Sequence, residues 1–126
     1  PTDVVMDKLQ GKPTVVSYSP DGKYIAIGDS FKEITVWNAS DGENKIRGKW
    51  VFHQSAITDV SWSPDSQYLA SGSIDTQLYV WNVEKPMKKL KQAHANPGGV
   101  TGVAWIDDKT VATCGADRCI RKYMFK

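Results

Sequence analysis

Apolar and polar positions along this chain come in short bursts, without the 3.6-residue rhythm of an amphipathic helix. Runs such as Ile34-Thr35-Val36-Trp37 and Leu78-Tyr79-Val80-Trp81 are cut every 5 to 9 residues by turn-forming residues. That spacing predicts strands joined by tight turns. In the middle of the chain it predicts four strands, at about residues 46–52, 57–63, 68–73 and 77–83. Ser19-Pro20-Asp21-Gly22 and Ser63-Pro64-Asp65-Ser66 supply turns, with proline fixing φ and the aspartate able to bond nearby backbone. Neither stretch suits a helix, because proline and the residue before it both resist the α region. In Leu78-Tyr79-Val80-Trp81 neither alternate set is polar, which predicts a strand packed on both faces.

The pattern repeats. Residues 14–38 laid on 58–82, an offset of 44, give 12 identities in 25 ungapped positions, among them Ser-Pro-Asp and Val-Trp-Asn. A third, weaker copy follows at an offset of 42 to 43: Val60 and Trp62 match Val103 and Trp105, Ala70 matches Ala112, and Asp75 matches Asp117. A period of this length made of strands and turns predicts sheets stacked side by side. The units run over about 3–39, 46–85 and 88–126 within one domain, 1–126.

These residues resemble the WD-repeat β-propeller family. The middle unit carries its parts: His53, then Ile57-Thr58-Asp59-Val60-Ser61-Trp62-Ser63-Pro64-Asp65, then Leu69-Ala70-Ser71-Gly72-Ser73-Ile74-Asp75, then Val80-Trp81-Asn82. The resemblance implies an all-β fold of three four-stranded antiparallel blades, a partial ring that is part of a seven-bladed propeller. It also implies a hydrogen-bonded tetrad of His53, Ser71, Asp75 and Trp81, in which a buried imidazole and indole find their acceptors. The third unit offers His94, Thr113 and Asp117 but has Tyr123 for the tryptophan. The first keeps Trp37 but has Ile27 and Phe31 where the tetrad serine and aspartate belong.

Tyr18-Ser19-Pro20-Asp21-Gly22, Ala93-His94, Val103-Ala104-Trp105-Ile106-Asp107-Asp108 and Thr110-Val111-Ala112-Thr113 narrow the resemblance to the C-terminal blades of the actin-interacting protein 1 family. Its members are two-propeller WD-repeat proteins that act with cofilin on actin filaments. The resemblance implies a non-catalytic scaffold that promotes cofilin-dependent filament disassembly, with actin and cofilin as partners and a cytoplasmic place on the actin cytoskeleton. The alternative is a WD-repeat adaptor of a signalling, RNA or ubiquitin complex.

Composition narrows the chemistry. A net charge of +2 does not supply the concentrated basic face that nucleic acid asks for, and Lys85, Lys88, Lys89 and Lys91 read as a solvated strand edge. No apolar stretch reaches the roughly 18 residues of a membrane helix. The sequence has no His-Glu-x-x-His, no Cys-x-x-Cys pair and no phosphate-cradling Gly-x-x-x-x-Gly-Lys loop, so neither enzyme, metal nor cofactor is expected. Ser55 beside His53 lacks a carboxylate in recognisable order. Cys114 and Cys119 are expected as free thiols in a reducing compartment, with Cys114 opposite Arg121. Trp37, Trp62, Trp81 and Trp105 fall at equivalent strand positions and belong to the core, which leaves Trp50 as the tryptophan expected to be partly exposed.

Partner contacts are expected on turns that a rigid scaffold presents. These are residues 53–56, 74–77, 95–99 and 117–119, with Lys32-Glu33 as the matching turn of the first unit. Gln54, Ile74, Asn96 and Arg118 are the candidate contact residues. Strand residues such as Ile34, Val36, Ile120 and Tyr123 provide no polar cap, so the ends of the array are expected to be covered by further blades or by self-association.

Overall fold

The structure, a computed structural model, describes residues 11–125, the side chains at 44 and 47–49 excepted. Residues 1–10, where the first unit was placed from about residue 3, lie outside the described residues.

Three antiparallel sheets form from strands in simple chain order. Sheet 1 holds β1 (Pro13–Tyr18), β2 (Tyr24–Asp29), β3 (Ile34–Asn38) and β4 (Asn44–Trp50). Sheet 2 holds β5 (Ile57–Trp62), β6 (Tyr68–Ser73), β7 (Leu78–Asn82) and β8 (Lys89–Gln92). Sheet 3 has three strands among the described residues: β9 (Val100–Trp105), β10 (Thr110–Gly115) and β11 (Ile120–Met124).

Sheets and sequence units are out of step by one strand. The strand expected at 46–52 pairs with β3, so it is the outer strand of sheet 1 and not the first strand of the middle unit. The turn at 39–43 decides this. Asn38 N–H donates to the Glu43 carbonyl at 2.8 Å, Glu43 N–H donates to Asp41 Oδ1 at 2.8 Å, and Gly42 adopts φ 71°. A hairpin that tight returns the chain to β3, whereas residues 51–56 form no strand and carry the chain to the next sheet.

The Ser-Pro-Asp turns are built as small hydrogen-bonded loops. Ser19 Oγ donates to Asp21 Oδ1 and accepts from Tyr24 N–H, and Asp21 Oδ1 also accepts from Lys23 N–H. Ser63, Asp65, Gln67 and Tyr68 repeat the arrangement. These bonds hold the Asp21 carboxyl below its ordinary value, the Ser19 hydroxyl being the largest cause.

Neighbouring sheets meet through joints that recur. Between sheets 1 and 2, the Thr14 hydroxyl donates to the Ile57 carbonyl at 2.6 Å and Trp62 Nε1 donates to the Ser17 carbonyl at 3.1 Å. Between sheets 2 and 3, Thr58 donates to the Val100 carbonyl at 2.6 Å and Trp105 Nε1 to the Ser61 carbonyl at 2.8 Å. Each joint encloses its own apolar core, one including Val36, Ile57, Trp62 and Trp81, the other Leu78, Val80, Val100 and Val103. Trp50, expected to be partly exposed, is fully buried: it stacks on Trp81 with centroids 5.0 Å apart, and its Nε1 donates to the Pro86 carbonyl. A strand that closes the edge of sheet 1 thus brings its last side chain under the loop that joins β7 to β8 within sheet 2.

Candidate interaction site

At one rim of the sheets the turns at 30–33, 74–77 and 115–119 stand beside the loops that enter each sheet. Beneath the middle of this rim four side chains are linked. His53 Nδ1 lies 2.9 Å from Asp75 Oδ2, and His53 Nε2 lies 2.8 Å from Ser71 Oγ, which also accepts from Trp81 Nε1 at 2.8 Å. His53, Ser71 and Trp81 are buried. The chain entering sheet 2 is thereby tied to β6, β7 and the turn between them. Asp75 does more than meet the imidazole: Oδ2 accepts from Gln54 N–H at 2.7 Å and Oδ1 from Gln77 N–H at 2.8 Å. Burial pushes its carboxyl up, but the bonds from His53, Gln54 and Gln77 together hold it below the ordinary value.

Sheet 3 solves the same problem with different residues. His94, expected as the counterpart of His53, is exposed at φ 53°. Asn96 takes the place instead. It precedes Val100 by four residues as His53 precedes Ile57, and Val100 and Ile57 hold matching register positions. Asn96 Nδ2 donates to Asp117 Oδ1 at 3.1 Å and to the Cys119 carbonyl at 3.2 Å. Asn96, one of the candidate contact residues, is therefore fully buried, pressed against Gly115, where an added Cβ would lie 2.5 Å from its own. Tyr123 sends its hydroxyl to the Ala95 carbonyl at 2.8 Å. In sheet 1 Trp37 Nε1 donates to Thr35 Oγ1 at 3.0 Å, and Asp29 Oδ1 accepts from the N–H groups of Phe31 and Glu33.

The other three candidates sit on this framework with their side chains outward. Gln54 is exposed, Ile74 is 56% exposed, and Arg118 is exposed at φ 65° with its N–H on the Gly115 carbonyl. Ile74 is backed by Gly99 (φ 122°), where a Cβ would come 3.2 Å from the Ile74 Cα. On these turns and entry loops two exposed aromatics were missed: Phe31, 61% exposed, and Phe52, with Lys89 Nζ 3.7 Å from its ring centroid. Phe31 had a signal in the sequence, since it replaces at a turn the aspartate of the other two units.

The two cysteines are free and exposed. Their hairpin is one residue out of the expected register: Cys114 faces Ile120 and Thr113 faces Arg121, because the turn spans 115–119 and Cys119 N–H donates to Asp117 Oδ1. Asp117 is held down to about 2, first by the Arg121 guanidinium at 2.7 Å and then by Asn96.

Stacked antiparallel sheets with side chains presented on cross-braced turns define the class of β-propeller interaction scaffolds. The family described as WD domain, G-beta repeat matches residues 44–82 and 84–123, and this chain belongs to it. Among known proteins it is 37% identical over 122 residues to the 66 kDa stress protein of Physarum polycephalum, covering 97% of this chain and 20% of that one. It is 36% identical over 126 residues to actin-interacting protein 1-2 of Arabidopsis thaliana, covering 98% and 20%. The chain thus spans about a fifth of the length of these relatives. The solved WD40 repeats of RRP9 share the fold with a TM-score of 0.86 at 21% identity, over 96% of this chain and 38% of that one.

Proposed function

We propose that this chain contributes blades to an actin-regulatory scaffold that promotes cofilin-dependent filament disassembly in the cytoplasm, without catalysis by its own residues. The observation that carries the reading is the rim: Gln54, Ile74, Arg118 and Phe31 stand exposed on turns braced from below by Asp75, Asp117 and Asp29. Such a surface offers apolar and charged groups on backbone that is already ordered, so binding has only the side chains left to fix. The similarity to relatives named for actin interaction supports actin as the partner. Cosedimentation of actin filaments with cofilin, in the presence and absence of the chain, tests it. Added chain is expected to shift actin from pellet to supernatant only when cofilin is present. An unchanged pellet, with other proteins retained on the immobilised chain, overturns the actin reading in favour of an adaptor with another partner.

A further inference from the structure

The face of each sheet that meets the next one follows a pattern. Gly28 and Gly72 let the neighbour's β-branched plug through: a Cβ on Gly28 would lie 2.4 Å from Ile57 Cγ2, and one on Gly72 would lie 2.4 Å from Val100 Cγ1. Beside them stand Ala26 and Val36 in sheet 1, and Ala70 and Val80 in sheet 2, as cross-strand pairs buried in the joints. The corresponding face of sheet 3 keeps most of this. Thr101 stands where Thr14 and Thr58 stand, Ala104 stands where Ser17 and Ser61 offer their carbonyls, and Ala112 takes the alanine position. Ile120, 83% exposed, matches the buried Ile34 and Leu78. Two positions differ. Cys114 replaces the glycine and Lys122 replaces the valine, since Cys114 pairs with Ile120 and Ala112 with Lys122.

We propose that this open face is a third joint, built for a propeller sheet that carries glycine or alanine in the place of Ile57 and Val100 and sets a carboxylate against Lys122. The retained threonine, carbonyl and alanine positions make it a joint, and the two replacements choose its occupant. A thiol where even a methyl would collide leaves no room for a β-branched plug, and a lysine enclosed in a joint needs an opposite charge. A second copy of this chain does not qualify. Its first sheet brings Pro13, which pairs with Asp29 as Ile57 pairs with Ser73, and among the described residues its exposed face offers Val16, Tyr18, Ile25 and Ile27 without a carboxylate. The inference stands whether or not the scaffold acts on actin.

The 126-residue chain tests this as wild type, as C114G and as C114G/K122V, with near-ultraviolet circular dichroism checking the fold. In sedimentation equilibrium, head-to-tail association is expected to tighten stepwise across the three, by about tenfold or more in all. A fluorescent second copy carrying Pro13→Gly is expected to bind wild type about tenfold more tightly than the Pro13 copy, an advantage that C114G removes. N-ethylmaleimide is expected to label Cys114 of the wild type as readily at high protein concentration as at low. Equal association of wild type and C114G/K122V, no gain from Pro13→Gly, or concentration-dependent protection of Cys114 overturns the proposal; the labelling result decides even if a variant misfolds.

Discussion

Asn96 occupies in sheet 3 the place of His53 in sheet 2, and it reaches Asp117 but not Thr113. Asn96 Oδ1 and Thr113 Oγ1 are buried without a hydrogen-bond partner, whereas the longer imidazole of His53 spans from Asp75 to Ser71. Asn96→Ala is expected to lower stability by about 1–3 kcal/mol, because Asp117 and the Cys119 carbonyl both lose a donor. Asn96→His restores the span and is expected to raise stability by about 1 kcal/mol. Urea unfolding followed by tryptophan fluorescence measures both, and a destabilised histidine variant would show that the site is too narrow for the ring.

Ser71 is the shared atom of the tetrad. Its removal in Ser71→Ala leaves both His53 Nε2 and Trp81 Nε1 buried without their partner, so the expected loss is about 2–4 kcal/mol, above that of an ordinary single hydrogen bond. Ser61→Ala, on the same sheet, is the control, since only its carbonyl serves the joint; it is expected to change stability by less than about 1 kcal/mol. Equal losses in the two would remove the tetrad from the account of stability.

The first joint depends on the missing side chain at Gly28. Gly28→Ala is expected to cost about 1–3 kcal/mol through its collision with Ile57. Ile57→Ala costs a comparable amount by opening a cavity. Because the two side chains meet, the double variant is expected to be less destabilised than the sum. Additive losses in a thermal melt would mean that the backbone absorbs the collision elsewhere.

Asp117 makes part of the stability pH-dependent. Its carboxyl is held at about 2 in the fold against an ordinary 3.8. A depressed folded value means that the contribution is fully present above the ordinary value and is lost as pH falls through the folded one. The melting temperatures of wild type and Asp117→Asn are therefore expected to differ most above pH 3.8 and to converge as pH falls toward about 2. A constant gap across that range would assign the difference to packing.

Strands, turns and the tetrad residues were legible because each is fixed by local chemistry: β-branched runs, Ser-Pro-Asp turns, and an offset of 44 that carries one unit onto the next. Sheet membership was not. Nothing in the apolar pattern of 46–52 says which neighbour it pairs with; the answer lies in the short turn at 39–43. His94 misled because it follows His53 by 41 residues, close to the repeat, while the register places Asn96 at 43. The burial of Trp50 depends on Pro86, 36 residues away, and no periodicity within one unit reports that contact.

The one-strand offset between sequence unit and sheet works like the overlap of roof tiles. Excising residues 46–85 along the lines of the repeat would strip sheet 1 of β4 and leave Lys89–Gln92 facing no β7. Recombination at such seams damages two sheets at once, so an intact exchange of modules has to cut in the loops at 51–56 and 93–99 instead.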